Sequence, residues 1–341
     1  AEMCIRDRFY TDGPNIHKYL RELNETTFGT DAEIVTVGEM SSTTLENCYK
    51  YAGEGEHELS MVFSFHHLKV DFMGNEKWVI VPFDFQKLKD ILYQWQTKMA
   101  EHKAWNAVFW CNHDQPRVVS RFGNTEKYWK ESAKMLGTVI HCMRGTPYIY
   151  QGEELGMTNP GFTEISQYRD VESLNHFKIL QDKGLSRESA YQILSIHSRD
   201  NSRTPMQWTG EAQAGFTDGT PWIQVTENYS YINARAEEED EDSILNYYKK
   251  LVRIRKDYDV IAYGDFTPLD ERNPSVMAYS RNWKNQELMV VCNFYGKAVS
   301  WDCGRDAETF RCILGNYGEQ QIQGSRISLQ PYECMVLYRE Q

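Results

Sequence analysis

The chain has 341 residues, of which 41% are hydrophobic and 25% are charged, which is ordinary for a globular protein with a large buried core. Its formal net charge of −12 argues against nucleic acid or an anionic membrane as the main partner, because both require a broad basic surface. The sequence contains no apolar stretch that approaches the roughly 20 residues an integral membrane protein requires.

Short apolar runs that end in polar or acidic residues are the clearest pattern in the first half of the chain. Each run is typical of a buried parallel strand, and helical patterns separate one run from the next. In a (β/α)8 barrel, catalytic residues follow the carboxyl ends of such strands. The pattern predicts an α/β fold with only half of a barrel, because four such runs are found: 34–39, 61–67, 108–114 and 147–154.

Amphipathic periodicity predicts the helices around these strands. Asp84 is the expected N-cap of the longest one. The periodicity breaks over about 155–237, which we interpret as an insertion with one helix near 186–195. The acidic run 237–242 then indicates a solvated helix entrance. Helices are expected over 15–23, 43–52, 84–100, 127–143 and 244–256.

From about residue 262 the pattern changes to alternating apolar and polar residues separated by turns. Such a pattern predicts a small antiparallel β-sandwich. The expected domains are therefore a partial barrel over 9–261 and a C-terminal β domain over 262–341. The strands of the second domain are expected over 276–280, 288–292, 298–301, 326–329 and 334–338.

The eight cysteines are scattered, with no CxxC pair and no tight spacing. The spacing indicates neither a zinc site nor a disulfide framework, and no other cofactor is expected. This use of cysteine favours a reducing compartment, the cytoplasm.

Glu39 and Asp114 are the carboxylates best placed for catalysis, because each follows an expected strand. Cleavage of a glycosidic bond needs a carboxylic acid to protonate the leaving oxygen and other groups to stabilise an oxocarbenium-like transition state. Apolar neighbours such as Val37 and Met40 would suit Glu39 to the acid role. Asp114, beside His113, would suit binding of sugar hydroxyls as the ring distorts. On spacing alone, a helix cap or a salt-bridge partner is the better explanation of either carboxylate.

Motifs along nearly the whole chain resemble glycoside hydrolase family 13, the α-amylase superfamily, and within it the oligo-1,6-glucosidase group. They are TVGEM at 36–40, NHDQPR at 112–117, GTPYIYQGEE at 145–154 and RDNSRTPMQW at 199–208. Residues 39–48 and 66–71 are most similar to the members that hydrolyse trehalose 6-phosphate. The resemblance implies the C-terminal half of a (β/α)8 barrel followed by the β-sandwich. It also implies a retaining α-glucosidase that releases glucose and glucose 6-phosphate.

Carried over by position, the resemblance implies a role for each matching residue. Glu39 would be the general acid/base and Asp114 the transition-state stabiliser. His113 would bind hydroxyls of the non-reducing glucose, and Arg203 would anchor the same ring. Arg117 would either reach the substrate or form a structural ion pair.

The implied partner is a small phosphorylated disaccharide, and an acidic protein needs a local basic pocket to hold its phosphate. His66, His67, Lys69 and Lys77 follow the second strand and would supply that pocket. On spacing alone, solvated loop charges and a satisfied core histidine are the better explanation. The resemblance to the family instead favours a phosphate pocket.

One motif of the family is not found. Its nucleophile is an aspartate in a G-x-R-x-D motif on the fourth strand, and neither Asp7 nor Asp12 lies in such a context. Residues 1–8 match nothing in the family, so we expect them to be non-native sequence joined to a truncated chain. Without the nucleophile, the chain by itself is expected to have little or no activity.

Two other functions stay open at this point. One is an oligo-1,6-glucosidase that acts on neutral isomalto-oligosaccharides, and the other is a non-catalytic carbohydrate-binding remnant. Half a barrel would also leave two strand edges unpaired, which predicts poor solubility or oligomerisation.

Overall fold

A parallel sheet of four strands forms the centre of the N-terminal part of this computed structural model, which describes residues 11–340. Its order is the order of the chain, and helices join successive strands, which confirms the predicted partial barrel. The expected non-native segment 1–8 lies outside the described residues. The strands are β1 Val37–Met40, β2 Met61–Ser64, β3 Asn106–Val108 and β4 Thr146–Pro147.

The strands are shorter than the apolar runs that predicted them. β1 pairs only with β2 among the described residues, and Val37 is 38% exposed, so the expectation of a buried first strand is wrong. The run after β3 leaves the sheet and packs in the core. Trp110 is buried there, and its Nε1 donates to the carbonyl oxygen of Leu136 at 2.6 Å. The residues of that run are apolar because they are buried in the core, not because they pair in a strand.

The predicted helices are found with small shifts at their ends, except that the one expected over 43–52 is an α-helix only over Leu45–Cys48. Asp84 caps α3 (Phe85–Glu101) as expected, because its Oδ1 accepts from Lys87 N at 2.9 Å. Helix α6 (Val171–Asp182) was not predicted, and Asp170 caps it through Ser173 N. Of the helices described, none has the length and apolar character that crossing a membrane requires. The others are α1 Ile16–Leu23, α2 Leu45–Cys48, α4 Val118–Phe122, α5 Trp129–His141, α7 Arg187–His197, α8 Ala234–Glu239, α9 Ile244–Asp257 and α10 Asp259–Tyr263.

The insertion after β4 is built on α6 and α7, which pack on each other. Phe177 of α6 meets Tyr191 and Leu194 of α7 in a buried cluster that also contains Trp78, from the loop after β2. His197 Nε2, at the end of α7, lies 2.7 Å from the carbonyl oxygen of Val79. The insertion is therefore fixed against the loop that follows β2.

The C-terminal part consists of two antiparallel sheets, which confirms the predicted β-sandwich. The strands are β5 Asp265–Leu269, β6 Val276–Trp283, β7 Gln286–Asn293, β8 Val299–Asp302, β9 Arg311–Gly315, β10 Gln321–Gln323, β11 Arg326–Leu329 and β12 Cys334–Glu340. The larger sheet has the order β5–β6–β7–β12–β9, and the smaller has the order β10–β11–β8. Met289, Val291 and Leu337 of the larger sheet pack on Trp301 and Ile327 of the smaller one.

The other face of the larger sheet packs on the barrel helices. Leu288 and Val290 of β7 share one buried cluster with Leu136 and Val139 of α5 and with Leu251 of α9. The two parts of the molecule are therefore joined by a continuous apolar core.

A buried guanidinium lies at this contact. Arg281 of β6 donates to the carbonyl oxygens of Cys142 at 2.8 Å, Ile261 at 2.9 Å and Gly264 at 2.7 Å. These carbonyls lie at the C-terminal ends of α5 and α10, where helices leave acceptors unpaired. One side chain of the sandwich thus satisfies the ends of two helices.

Candidate active site

The ends of all four parallel strands line one cavity of about 270 Å³. Its aromatic wall is packed edge to face, with the ring of Phe63 centred 5.0 Å from Phe109 and 4.6 Å from Tyr148. The structure therefore brings two predicted site residues, Glu39 and His113, into one space. The lining consists of Glu39, Phe63, Phe109, Cys111, Asn112, His113, Tyr148, Ile149 and Tyr150.

Glu39 lies within β1, opposite Phe63 of β2, rather than after the strand as predicted. Its side chain is exposed and Val37 is exposed near it, so the described residues do not form the apolar enclosure that was expected. The cause is the position of β1 at an open edge of the sheet. A Cβ on Gly38 would lie 2.6 Å from Leu59 Cδ1, so a larger residue before Glu39 would displace that leucine.

A second cavity, of about 500 Å³, lies beside β1 and is lined by both Glu39 and Asp12. The carboxylate of Asp12 accepts hydrogen bonds from Thr43 Oγ1 at 3.2 Å and from Asn47 Nδ2 at 3.3 Å. It also accepts one from the Tyr51 hydroxyl. The Asp12 oxygens are thus already engaged with the segment that follows β1.

Asp114 lies in the loop after β3, where two arginines hold it. Its Oδ1 is 2.6 Å from Nη2 of Arg203 and 3.6 Å from Nη1 of Arg199. Arg203 also donates from Nε to the carbonyl oxygen of His113 at 2.7 Å. His113 Nε2 lies 3.7 Å from Asp114 Oδ2. The predicted residues His113, Asp114 and Arg203 therefore form one group.

Arg199 extends this group into the insertion. Its Nη2 lies 3.2 Å from Asp170 Oδ1, and its Nε lies 3.2 Å from Glu172 Oε2. Burial alone would raise the pKa of Asp170, but hydrogen bonds from Ser173 and the charges of both arginines lower it. Arg199 lies in the motif 199–208, yet the sequence analysis gave it no role.

Arg117 does not reach the cavity, which corrects the prediction of a substrate contact. It is 1% exposed, its Nη1 donates to the carbonyl oxygen of Gln151, and its backbone N donates to Asn159 Oδ1 at 2.9 Å. The guanidinium turns inward and joins the loop after β3 to the segment after β4. Arg117 is thus a positioning residue.

The buried carboxyl group of Glu153 holds the loop after β3 in place. Glu153 accepts from Cys111 Sγ at 3.2 Å and from the Tyr248 hydroxyl of α9 at 3.0 Å. Burial raises the pKa of Glu153 to about 7. Because Cys111 directly precedes Asn112 and His113, this contact fixes the start of the loop that carries the candidate site.

An ion pair that sequence analysis missed fixes the neighbouring loops. Arg121 binds Asp71 through two N–O contacts of 2.8 and 2.6 Å, and both side chains are nearly buried. Arg121 also donates to Gln115 Oε1 at 2.9 Å. The loop after β2 is thereby held to the loop after β3.

The residues expected to bind phosphate do not form one cluster. Lys69 Nζ donates to the carbonyl oxygen of Ser41 at 2.6 Å, close to the end of β1. His66 is half-buried, with its Nδ1 3.2 Å from Ser64 Oγ. His67 is a core histidine: its Nε2 lies 2.9 Å from the carbonyl oxygen of Phe109, and burial lowers its pKa to about 4.

Lys77 lies against the insertion instead. Its Nζ is 3.3 Å from Glu172 Oε2, the same oxygen that Arg199 approaches. Burial lowers the pKa of Lys77, and the charge of Glu172 opposes that effect. Of the two predicted lysines, Lys77 already has a carboxylate partner.

Comparison with known proteins supports the fold over both parts of the chain. The family described as alpha amylase, catalytic domain, matches residues 2–264, and the alpha-amylase SusG C-terminal domain matches residues 276–336. The crystal structure of Bacillus licheniformis trehalose-6-phosphate hydrolase superposes with a TM-score of 0.94 at 50% identity. That match covers 98% of this chain and 61% of that one.

Curated relatives give the same result. Trehalose-6-phosphate hydrolase of Bacillus subtilis (strain 168) is 50% identical over 331 residues, and that of Escherichia coli (strain K12) is 48% identical over 328 residues. Oligo-1,6-glucosidase of Bacillus cereus is 45% identical over 332 residues. Each match covers 96% of this chain but only 59% of the relative, so the chain spans about three fifths of the length of these proteins. The chain belongs to the α-amylase family, glycoside hydrolase family 13.

Proposed function

We propose that this chain carries the acid/base part of a retaining α-glucosidase that hydrolyses trehalose 6-phosphate to glucose and glucose 6-phosphate. The observation that carries the proposal is the cavity at the carboxyl ends of β1 to β4, which both Glu39 and His113 line. The similarity to trehalose-6-phosphate hydrolases at 48% and 50% identity supports the choice of substrate. The scattered cysteines favour the cytoplasm as the place of action.

In this proposal Glu39 protonates the leaving glycosidic oxygen and later deprotonates the attacking water. Asp114 stabilises the positive charge that develops on the glucose ring. Arg203 holds Asp114 in place and, with His113, binds hydroxyls of the same ring. A retaining mechanism also needs a second carboxylate as nucleophile. Because Asp12 is engaged with Thr43 and Asn47, we propose that the chain alone has little or no activity.

Lys69 is the best candidate for the substrate phosphate. Its ammonium donates to a backbone carbonyl near β1, which leaves its positive charge available for an anion. Burial and the charge of Lys69 lower the pKa of His66, and Lys77 would have to exchange Glu172 for the phosphate. A neutral disaccharide would gain nothing from these charges.

The second candidate function is an oligo-1,6-glucosidase on neutral isomalto-oligosaccharides. The 45% identity to the Bacillus cereus oligo-1,6-glucosidase favours it. The two functions differ in whether the charge of Lys69 contributes to substrate binding.

The test joins this chain to the part of the Bacillus subtilis trehalose-6-phosphate hydrolase that lies outside the match. We expect the fusion to hydrolyse trehalose 6-phosphate and the isolated chain to show little or no turnover. Lys69→Ala should raise KM for trehalose 6-phosphate about tenfold, since a charge-assisted hydrogen bond is lost, and leave KM for isomaltose nearly unchanged.

Lys87→Ala is the matched control, because Lys87 is an exposed lysine on α3. An equal effect of Lys69→Ala on both substrates would remove the phosphate role. Preference of the fusion for isomaltose would support the second function. A folded fusion that acts on neither substrate would indicate a carbohydrate-binding remnant.

A further inference from the structure

Two cysteines face each other across neighbouring strands of the larger sheet. Cys334 of β12 pairs with Cys292 of β7 in antiparallel register. At the next position Asn293 N donates to the carbonyl oxygen of Glu333 at 2.8 Å, whereas Cys334 N donates to Asn316 Oδ1 at 2.8 Å. The cysteines therefore form a non-hydrogen-bonded pair. In such pairs the Cα atoms lie about 4.5 Å apart and the side chains are closest.

Both thiols are on the face of the sheet that packs on the barrel helices. Cys292 follows Val290 and Leu288 on that face, and Cys334 precedes Val336 and Tyr338 on it. Both cysteines are 0% exposed. A Cα separation of about 4.5 Å lies within the range that a disulfide spans.

The surroundings of Cys334 are polar within this apolar contact. Its Sγ lies 3.4 Å from the Tyr247 hydroxyl of α9 and 3.3 Å from Thr138 Oγ1 of α5. Burial alone would raise the pKa of the Cys334 thiol, but its hydrogen bonds with Cys292, Thr138 and Tyr247 together lower it. Thr138 also pairs with Tyr247 at 2.8 Å, so it keeps a partner if the Cys334 proton is lost.

We propose that Cys292 and Cys334 are an oxidisable pair that closes a disulfide between β7 and β12 when the protein meets hydrogen peroxide. The Cys334 thiolate attacks one peroxide oxygen, the O–O bond breaks, hydroxide leaves and Cys334 becomes a sulfenic acid. The Cys292 sulfur then attacks that sulfur, the S–S bond forms, and the S–O bond breaks. The hydroxyl leaves as water after it takes up the Cys292 proton. Two thiols and one peroxide give one disulfide and two waters.

The bond would close the chain segment 293–333 into a covalent loop. That segment contains β8, β10 and β11, the whole of the smaller sheet, and β9 of the larger one. Oxidation would therefore fasten the outer layer of the sandwich to the layer that packs on the barrel helices. This inference concerns the C-terminal domain and does not depend on the proposed activity.

Because both sulfurs are buried, reaction requires the sheet to part briefly from α5 and α9. We expect the pair to react more slowly than the partly exposed Cys303 and Cys312. The experiment treats the folded 341-residue chain with hydrogen peroxide over a time course. It then alkylates the remaining thiols in denaturant and maps the peptides by mass spectrometry. We expect a linked peptide pair that contains Cys292 and Cys334, lighter by two hydrogens, which dithiothreitol separates.

Cys142→Ala is the matched control, because Cys142 is another buried cysteine of the same cluster. This variant should form the linked pair as the unchanged chain does, whereas Cys292→Ala should not, with circular dichroism confirming that both are folded. A link between Cys334 and Cys142 would overturn the assignment. So would full alkylation of Cys292 and Cys334 after Cys303 and Cys312 have reacted completely.

Discussion

The two candidate catalytic carboxylates differ in how the surrounding residues hold them. Asp114 is bound by Arg203 and faces Arg199, whereas Glu39 is exposed on an edge strand. A general acid/base must exchange protons in every turnover, and a transition-state stabiliser must stay in place. The two positions suit this division of roles in the proposed mechanism.

Another titratable residue links stability to pH. His141 of α5 is buried, neither of its ring nitrogens has a hydrogen-bond partner among residues 11–340, and burial followed by the charge of Arg255 lowers its pKa to about 3. The unfolded chain takes up a proton near pH 6.5, and the folded chain does not. Stability is therefore fully present above pH 6.5 and falls as the pH drops toward 3, by about 2 kcal/mol at pH 5. We expect His141→Leu to lose less stability than the unchanged chain between pH 8 and pH 5 in urea unfolding.

The exposed His102, which stacks on Tyr49, provides the control for this experiment. His102→Leu should show the pH dependence of the unchanged chain. The interpretation fails if His141→Leu and the unchanged chain lose equal stability on acidification.

At the scale of single elements, the turn after β4 depends on one glycine. Gly152 has φ +85°, and a Cβ there would lie 2.4 Å from Met157 Sδ and 2.9 Å from Arg117 Nη1. Gly161 has φ +66°, and no atom of the described part of the chain lies within 4 Å of such a Cβ. Gly161→Ala should therefore cost about 1 kcal/mol from backbone strain alone. Gly152→Ala should cost at least about 2 kcal/mol, because it also overpacks the core.

Thermal unfolding of the two variants separates strain from packing. Equal melting temperatures for Gly152→Ala and Gly161→Ala would show that the contacts of Arg117 and Met157 do not restrict this turn. A larger loss for Gly152→Ala would support the role of Arg117 in positioning the loop after β3.

Helices and strands could be predicted from the sequence where the apolar residues that face the core recur at regular spacing. The predicted strands of the sandwich are all found, because their faces alternate between two buried layers. Helix α6 was missed because Val171 is 67% exposed and Ile179 is 42% exposed, which breaks the amphipathic pattern. The third parallel strand was predicted over 108–114 but is found at Asn106–Val108. The prediction was misplaced because Trp110 is apolar and buried but lies outside the sheet.

The grouping of site residues was harder to predict than the elements. His113 and Asp114 are adjacent in sequence, and the family motif led to Arg203, which binds Asp114. The phosphate-binding residues were predicted from the family resemblance, but Lys77 pairs with Glu172, which lies far along the chain in the insertion. Contacts between loops that are distant in the chain produce no periodic pattern in the sequence. They are therefore seen only in the folded structure.

At the scale of the whole molecule, the open edge of the parallel sheet predicts self-association. β1 pairs only with β2 within residues 11–340, and Val35, just before it, is 63% exposed. Unpaired backbone groups and exposed apolar side chains together favour association of copies. We expect oligomers in sedimentation velocity at increasing protein concentration, and we expect Val35→Lys to shift the population toward monomer.

Val171→Lys is a matched control, because Val171 is 67% exposed but lies on the insertion. It should leave the association unchanged. A compact monomer at every concentration would contradict the prediction, as would equal effects of the two lysine substitutions.

The buried guanidinium of Arg281 limits how this protein can be recombined with others. Its acceptors are carbonyls at the ends of α5 and α10, which belong to the other part of the molecule. Joining the sandwich to the barrel of another protein would leave the positive charge of Arg281 buried without these acceptors. The free energy of unfolding would fall by several kcal/mol. Moving the sandwich to another protein therefore requires α5 and α10 to accompany it, because their carbonyl oxygens accept the hydrogen bonds of Arg281.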